Sequence, residues 1–118
     1  MIYRILILVP LALLVLGVLF FALRPASTAG PQERTFDVAV EESGMIPAEI
    51  SVGEGDLVTL RMVSESPVGI HVHGYDLEEE IEPDEPGTLS FEANTTGRFE
   101  IEDHENGEEL GTLVVEPR

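Results

Sequence analysis

The sequence predicts an all-β protein, a Greek-key sandwich of about seven short strands, preceded by one apolar N-terminal helix. Three observations carry that reading. From Phe36 onward apolar residues recur at every second position, the period of a strand with one buried face. Glycine and proline fall between these runs, where turns are needed. Residues 5–23 are apolar throughout, interrupted only by Pro10 and Gly17.

In chain order, the apolar head comes first. A run of about 18 or more apolar residues suits a bilayer span, whereas the core of a cleavable signal is about 7 to 15 residues long. Residues 1–24 are therefore expected to be an uncleaved transmembrane anchor. Arg4 and the free amine would stay on the cytoplasmic side and the rest would be exported. Ser27-Thr28-Ala29 offers a cleavage site for the alternative of a removed signal. Residues 25–34, rich in proline and small side chains, are expected to form a linker. The folded domain is then 35–118, outside the cytoplasm, periplasmic or extracellular.

Within that domain, Phe36, Val38 and Val40 mark one strand, Ile50 and Val52 a second, and Val58, Leu60 and Met62 a third. Ile70 to Tyr75, Thr88 to Phe91, Arg98 to Ile101 and Thr112 to Val115 supply four more. Gly44, Pro47, Gly53 and Gly55 separate the early runs. Seven short strands in under 90 residues point to two packed sheets.

Charge and composition exclude whole classes of function. The chain has 118 residues, 23 Asp and Glu, six arginines, no lysine and no cysteine. Disulfides, thiol catalysis and cysteine-ligated metals are ruled out. Phosphate binding needs clustered Lys and Arg, so no nucleic acid partner is expected. All 23 acids and only four arginines lie in residues 31–118, a net −19. The densest acidic run, Glu78 to Glu85, lacks the spacing of a calcium loop and reads as a solvated face. Such charge keeps a protein soluble and is used by halophiles.

The residues that carry chemistry are the only three histidines, His71, His73 and His104. His71 and His73 form an HxH pair. On a strand they share a face, about 6.6 Å apart, close enough for both imidazoles to reach one ion. His104 follows Phe99-Glu100-Ile101-Glu102-Asp103, at the end of a late strand. If Phe99 and Ile101 face the core, Asp103 does too and His104 faces outward, unless the chain turns at Glu105-Asn106-Gly107. Imidazoles with a carboxylate nearby suit copper or zinc, both of which take nitrogen ligands readily. Tyr75, Met45 and Met62 read as packing residues.

The succession Gly44 to Val52, Gly55-Asp56-Leu57-Val58, Ser64 to His71, Phe91-Glu92-Ala93 and Gly97-Arg98-Phe99 resembles the cupredoxin family, the plastocyanin and azurin type of sandwich, over residues 35–118. The resemblance implies copper, with its first histidine ligand at His71. It places Asp103 where the family has its copper cysteine, Asn106 near the second histidine and Glu109 near the methionine. A blue centre therefore cannot form. What the resemblance leaves is a non-blue site of His71, His73 and His104, with Asp103 or Glu102 as the oxygen ligand.

The expected function is a membrane-tethered, extracytoplasmic metal-binding protein that handles copper or transfers electrons. The alternative is a metal-free interaction module that has kept the sandwich and lost the site. No nucleophile motif such as GxSxG accompanies the histidines, so the chain is not expected to be an enzyme.

Overall fold

The computed structural model describes residues 2–23 and 30–118, without the side chains at 2 and 4–6. The Arg4 side chain, Arg24 and linker residues 25–29, including the Ser27 to Ala29 segment, lie outside what is described.

The apolar head forms a single helix, Ile2–Ala22 (α1). Its side chains from Ile7 onward are exposed, among them Leu8, Leu13, Leu16 and Phe20. The expected transmembrane assignment does not follow from this helix alone. Among the described residues no helix is long and apolar enough to cross a membrane.

The alternating runs become strands. Glu33–Glu41 (β1), Gly44–Ile46 (β2), Leu57–Ser64 (β4) and Gly87–Glu92 (β7) form one sheet in the order β2-β1-β4-β7. Glu49–Gly53 (β3), Val68–Val72 (β5), Leu77–Ile81 (β6), Gly97–Asp103 (β8) and Glu109–Glu116 (β9) form the other, in the order β3-β9-β8-β5-β6. β1 runs parallel to β4 and β3 parallel to β9; the remaining pairs are antiparallel.

The two inner faces meet along the positions that the period-2 pattern marks. Val38, Leu60 and Met62 from one sheet pack against Ile50, Ile70, Val72, Ile101 and Leu113 from the other, all at most 2% exposed. Fully burying each such side chain contributes about 1.5–3 kcal/mol. Met45 and Met62 are core residues, as expected.

Among the described residues nine strands form rather than about seven. The two additions are β2 and β6. β6 is the acidic run itself: Ile81 is buried and Leu77 and Glu79 half-buried, while Glu78 and Glu80 are exposed. Alternation survives there, although the inward set includes a carboxylate. Carboxylates on an edge strand also discourage pairing with another chain.

The strand expected from Ile70 to Tyr75 ends at Val72. Gly74 and Asp76 adopt φ of 82° and 54° and turn the chain back into β6. Tyr75 leaves the histidine face, packs its ring on Phe91 and Phe99, and bonds through its hydroxyl to the Thr95 backbone.

At the end of the sandwich where β1 and β4 begin, Asp56 is fully buried. Its Oδ1 accepts the Gln32 amide and its Oδ2 the Gly53 amide, each at 2.9 Å. Arg118 closes the arrangement with an ion pair to Oδ1 and a 2.7 Å bond to the Gly30 carbonyl. A side chain at Gly53 would collide with that guanidinium. Burial alone would raise the Asp56 pKa. The two amides, then Arg118 and Arg34, outweigh burial and hold it below the ordinary aspartate value.

Candidate metal centre

The histidines lie on the outer face of the second sheet, near its β6 edge. Ile70 and Val72 point into the core, so strand alternation turns His71 outward. Pairing then selects its neighbours. His71 sits opposite Glu102 on β8 and Glu78 on β6. His73 is the first residue past β5, held in line by its amide bond to the Glu100 carbonyl at 2.9 Å.

Glu102 is the hub. Its Oε1 lies 2.6 Å from His73 Nε2 and 3.3 Å from His71 Nδ1. An ionised carboxylate can only accept, so His71 donates through Nδ1 and His73 through Nε2. One donor atom from each of His71, His73 and Glu102 falls within 4.8 Å of the others. The two imidazole rings stand edge to face, 4.8 Å between centroids. The side chains of His71 and Glu102 are each 18% exposed and that of His73 51%, so the centre is open on one side. The bonds from His73 and then His71 lower the Glu102 pKa against the opposing effect of desolvation.

His104 stands one row along. Its amide bonds the Gly69 carbonyl at 2.7 Å and its ring centroid is 5.9 Å from that of His71. Its nearest carboxylate is Glu78, with Nδ1 3.4 Å from Oε1.

Asp103 is not brought to the cluster. It pairs with Ile70, the core-facing position of β5, so its side chain leaves the strand on the opposite side from Glu102. There its Oδ1 accepts the Glu105 amide at 2.9 Å and its carbonyl accepts the Gly107 amide, which fixes the turn out of β8. Glu102 takes the place that the sequence reading gave first to Asp103. The available signal was parity: Glu102 and His104 are two apart and share the face that His71 occupies.

Two imidazole nitrogens and a carboxylate oxygen form a donor set suited to a borderline divalent ion such as copper(II) or zinc. A neutral imidazole can move its proton to its other nitrogen. The atoms that now donate to Glu102 can therefore become ligands without a charged intermediate. No thiol is present, so the cysteine ligand of blue copper has no counterpart here.

A two-sheet sandwich with two imidazoles and a carboxylate gathered beside β5 and β8 defines the class, a small β-sandwich with a candidate metal site on its surface. The chain belongs to the cupredoxin-like domain family, whose profile matches residues 12–115. No curated protein sequence matches it.

Among solved structures it is similar to the blue copper oxidase of Nitrosomonas europaea, at 25% identity and a TM-score of 0.62 over 73% of this chain and 39% of that one. It spans about two fifths of the length of that oxidase. The Cu(I)-bound metal-binding domain of the Cu(I)-exporting P-type ATPase of Streptococcus pneumoniae D39 shares the fold. The identity there is 19% and the TM-score 0.62, covering 71% of this chain and 94% of that one. A chain of a heme-copper terminal oxidase dimer does likewise, at 14% identity and a TM-score of 0.60, over 95% of this chain and 96% of that one.

Proposed function

We propose that the chain is a membrane-tethered cupredoxin-like protein that binds copper outside the cytoplasm at a non-blue site of His71, His73 and Glu102, for copper handling or electron transfer. The observation that carries this reading is the convergence of three donor atoms within 4.8 Å, from β5, the residue just past it and β8. Copper forms the most stable complexes of the first-row divalent ions with such nitrogen and oxygen donors, and zinc is the alternative. When bound, copper would supply a centre able to accept or give one electron. The protein residues position the donors, and the half-exposed His73 leaves a side open to exchange. Storage or passage fits a site without thiolate better than fast electron transfer. No catalytic activity is proposed.

The tether rests on α1, whose apolar side chains from Ile7 to Phe21 are exposed and need a non-aqueous cover. Extraction of membranes at alkaline pH tests it. Release of the chain into the soluble fraction would remove the tether from the reading.

A metal-free interaction module is the second reading. It is favoured by the self-sufficiency of the cluster, in which both imidazoles already bond one oxygen of Glu102. Copper titration of the full chain in detergent, read by electron spin resonance, separates the two. Nitrogen hyperfine lines that vanish in a His71→Ala, His73→Ala double variant support the metal site. A spectrum unchanged from free copper supports the module.

A further inference from the structure

The chain has two asparagines, Asn94 and Asn106, and the fold uses them differently. Asn106 works for the backbone: its Oδ1 accepts the Glu108 amide at 2.9 Å in the turn after β8. Asn94 does no such work. It is exposed in the loop of residues 93–96 between β7 and β8, and its Oδ1 accepts the hydroxyl of the adjacent Thr95 at 3.2 Å. Among the described residues its side-chain nitrogen Nδ2 has no partner, and neither has the hydroxyl of the exposed Thr96.

Asn94-Thr95-Thr96 is an Asn-x-Thr triplet whose middle residue is not proline, the pattern of an acceptor for N-linked glycans. Such a site belongs on a surface loop, because a glycan is too bulky and polar to bury. The loop presents the triplet well. Its root, Ala93, is buried, with its amide bonded to the Asp56 carbonyl and its carbonyl to the Gly55 amide, each at 2.8 Å. Tyr75 then grips Thr95, its hydroxyl donating to the Thr95 carbonyl at 2.7 Å and accepting the Thr95 amide at 3.0 Å. A backbone held at 93 and 95 leaves the side chains of 94 and 96 in solvent.

We propose that Asn94 is an N-glycosylation site, modified by an oligosaccharide from a lipid-diphosphate donor. The site rests on the extracytoplasmic part of the proposed function, because this acceptor triplet is used in exported chains. In the transfer, Asn94 Nδ2 bonds to the anomeric carbon of the sugar and the bond from that carbon to the diphosphate oxygen breaks. The lipid diphosphate leaves with the electron pair, and one proton of Nδ2 passes to a base of the transferase. The glycan leaves the metal centre clear: β8 runs from Gly97 beside the loop to Glu102 in the centre, about 16 Å away at the rise of a strand. It stands instead at the end of the sandwich where Gln32 meets Asp56.

Mass spectrometry of the full chain, extracted in detergent from its own cells, tests this. Trypsin cuts after Arg61 and Arg98, and the peptide 62–98 holds Asn94 and no other asparagine. The expected result is a glycan on that peptide, lost in Asn94→Gln and in Thr96→Ala and retained in Thr96→Ser. All three exchanges alter exposed side chains and should keep the urea midpoint of the parent. A glycan that survives Thr96→Ala is not attached through this triplet and overturns the site. An unmodified peptide from a chain that protease digests on sealed protoplasts overturns the site and leaves the extracytoplasmic reading standing. An unmodified peptide from a chain that protease reaches only after lysis overturns both.

Discussion

Asp56 and Glu102 are both carboxylates whose pKa the fold lowers, and the difference between them separates architecture from chemistry. The partners of Asp56 are two backbone amides and an arginine, none of which gives up or shifts its proton at neutral pH. It is fully buried and joins residues 30, 32, 53 and 118 at one end of the sandwich. Glu102 is partly exposed, and its partners are imidazoles, groups that can turn, shift a proton or take a metal. A carboxylate satisfied by fixed donors holds a structure; one satisfied by exchangeable donors is available for function.

The comparison breaks most visibly at Asp56. Asp56→Ala strands two amides and a guanidinium around a cavity, and should cost about 3 kcal/mol, the low end for removing one partner of a buried pair. Urea unfolding measures it, and copper binding of the folded fraction should be unchanged. The acid limb is the next largest effect. Asp56 has a folded pKa below its unfolded one, so its stabilisation is complete above the ordinary aspartate value and is lost as pH falls through the depressed value. Asp56→Asn should be less stable than the parent at neutral pH, and the gap should close as the solution is acidified below pH ~4. A constant gap would assign the role of Asp56 to shape and not to charge.

How far the sequence foretold these two regions follows from what each depends on. The sandwich was legible because period-2 alternation is a local property: Phe36 to Val40 and Val58 to Met62 show it without reference to any neighbour. β6 hid because its inward positions include Glu79, so the acid run masked Leu77 and Ile81. His71 and His73 were recognisable from their spacing alone. Glu102 required the register between β5 and β8, which no single strand encodes, and the choice between it and Asp103 turned on which side of the sheet carries the histidines. The buried role of Asp56 was invisible for the same reason: Gln32 and Arg118 come from distant parts of the chain.

Glu102→Gln sharpens the other half of the comparison. It keeps the shape of the side chain and removes its charge, so copper affinity should fall at least about tenfold, the lower end of what losing even an outer partner of a ligand costs. The urea midpoint should stay near that of the parent. A large loss of stability with unchanged copper affinity would make Glu102 a structural residue like Asp56.

The smallest effect belongs to an ion pair that resembles Arg118–Asp56 only on paper. Arg61 Nε lies 3.1 Å from Asp37 Oδ1, on the outer face of the first sheet where β1 and β4 pair. Its side chains are 60% and 82% exposed, so water already satisfies both charges and salt screens their attraction. Asp37→Ala should change stability by less than about 1 kcal/mol, against the larger loss from Asp56→Ala. It should also relieve a little of the repulsion in a domain that carries a net −19. Both contributions therefore depend on ionic strength. In dilute buffer the lost repulsion offsets the lost pair, and in high salt both fade and the variant converges on the parent. Urea midpoints of both proteins across a salt series measure this, and a salt-independent loss as large as that of Asp56→Ala would mean that exposure does not separate the two pairs.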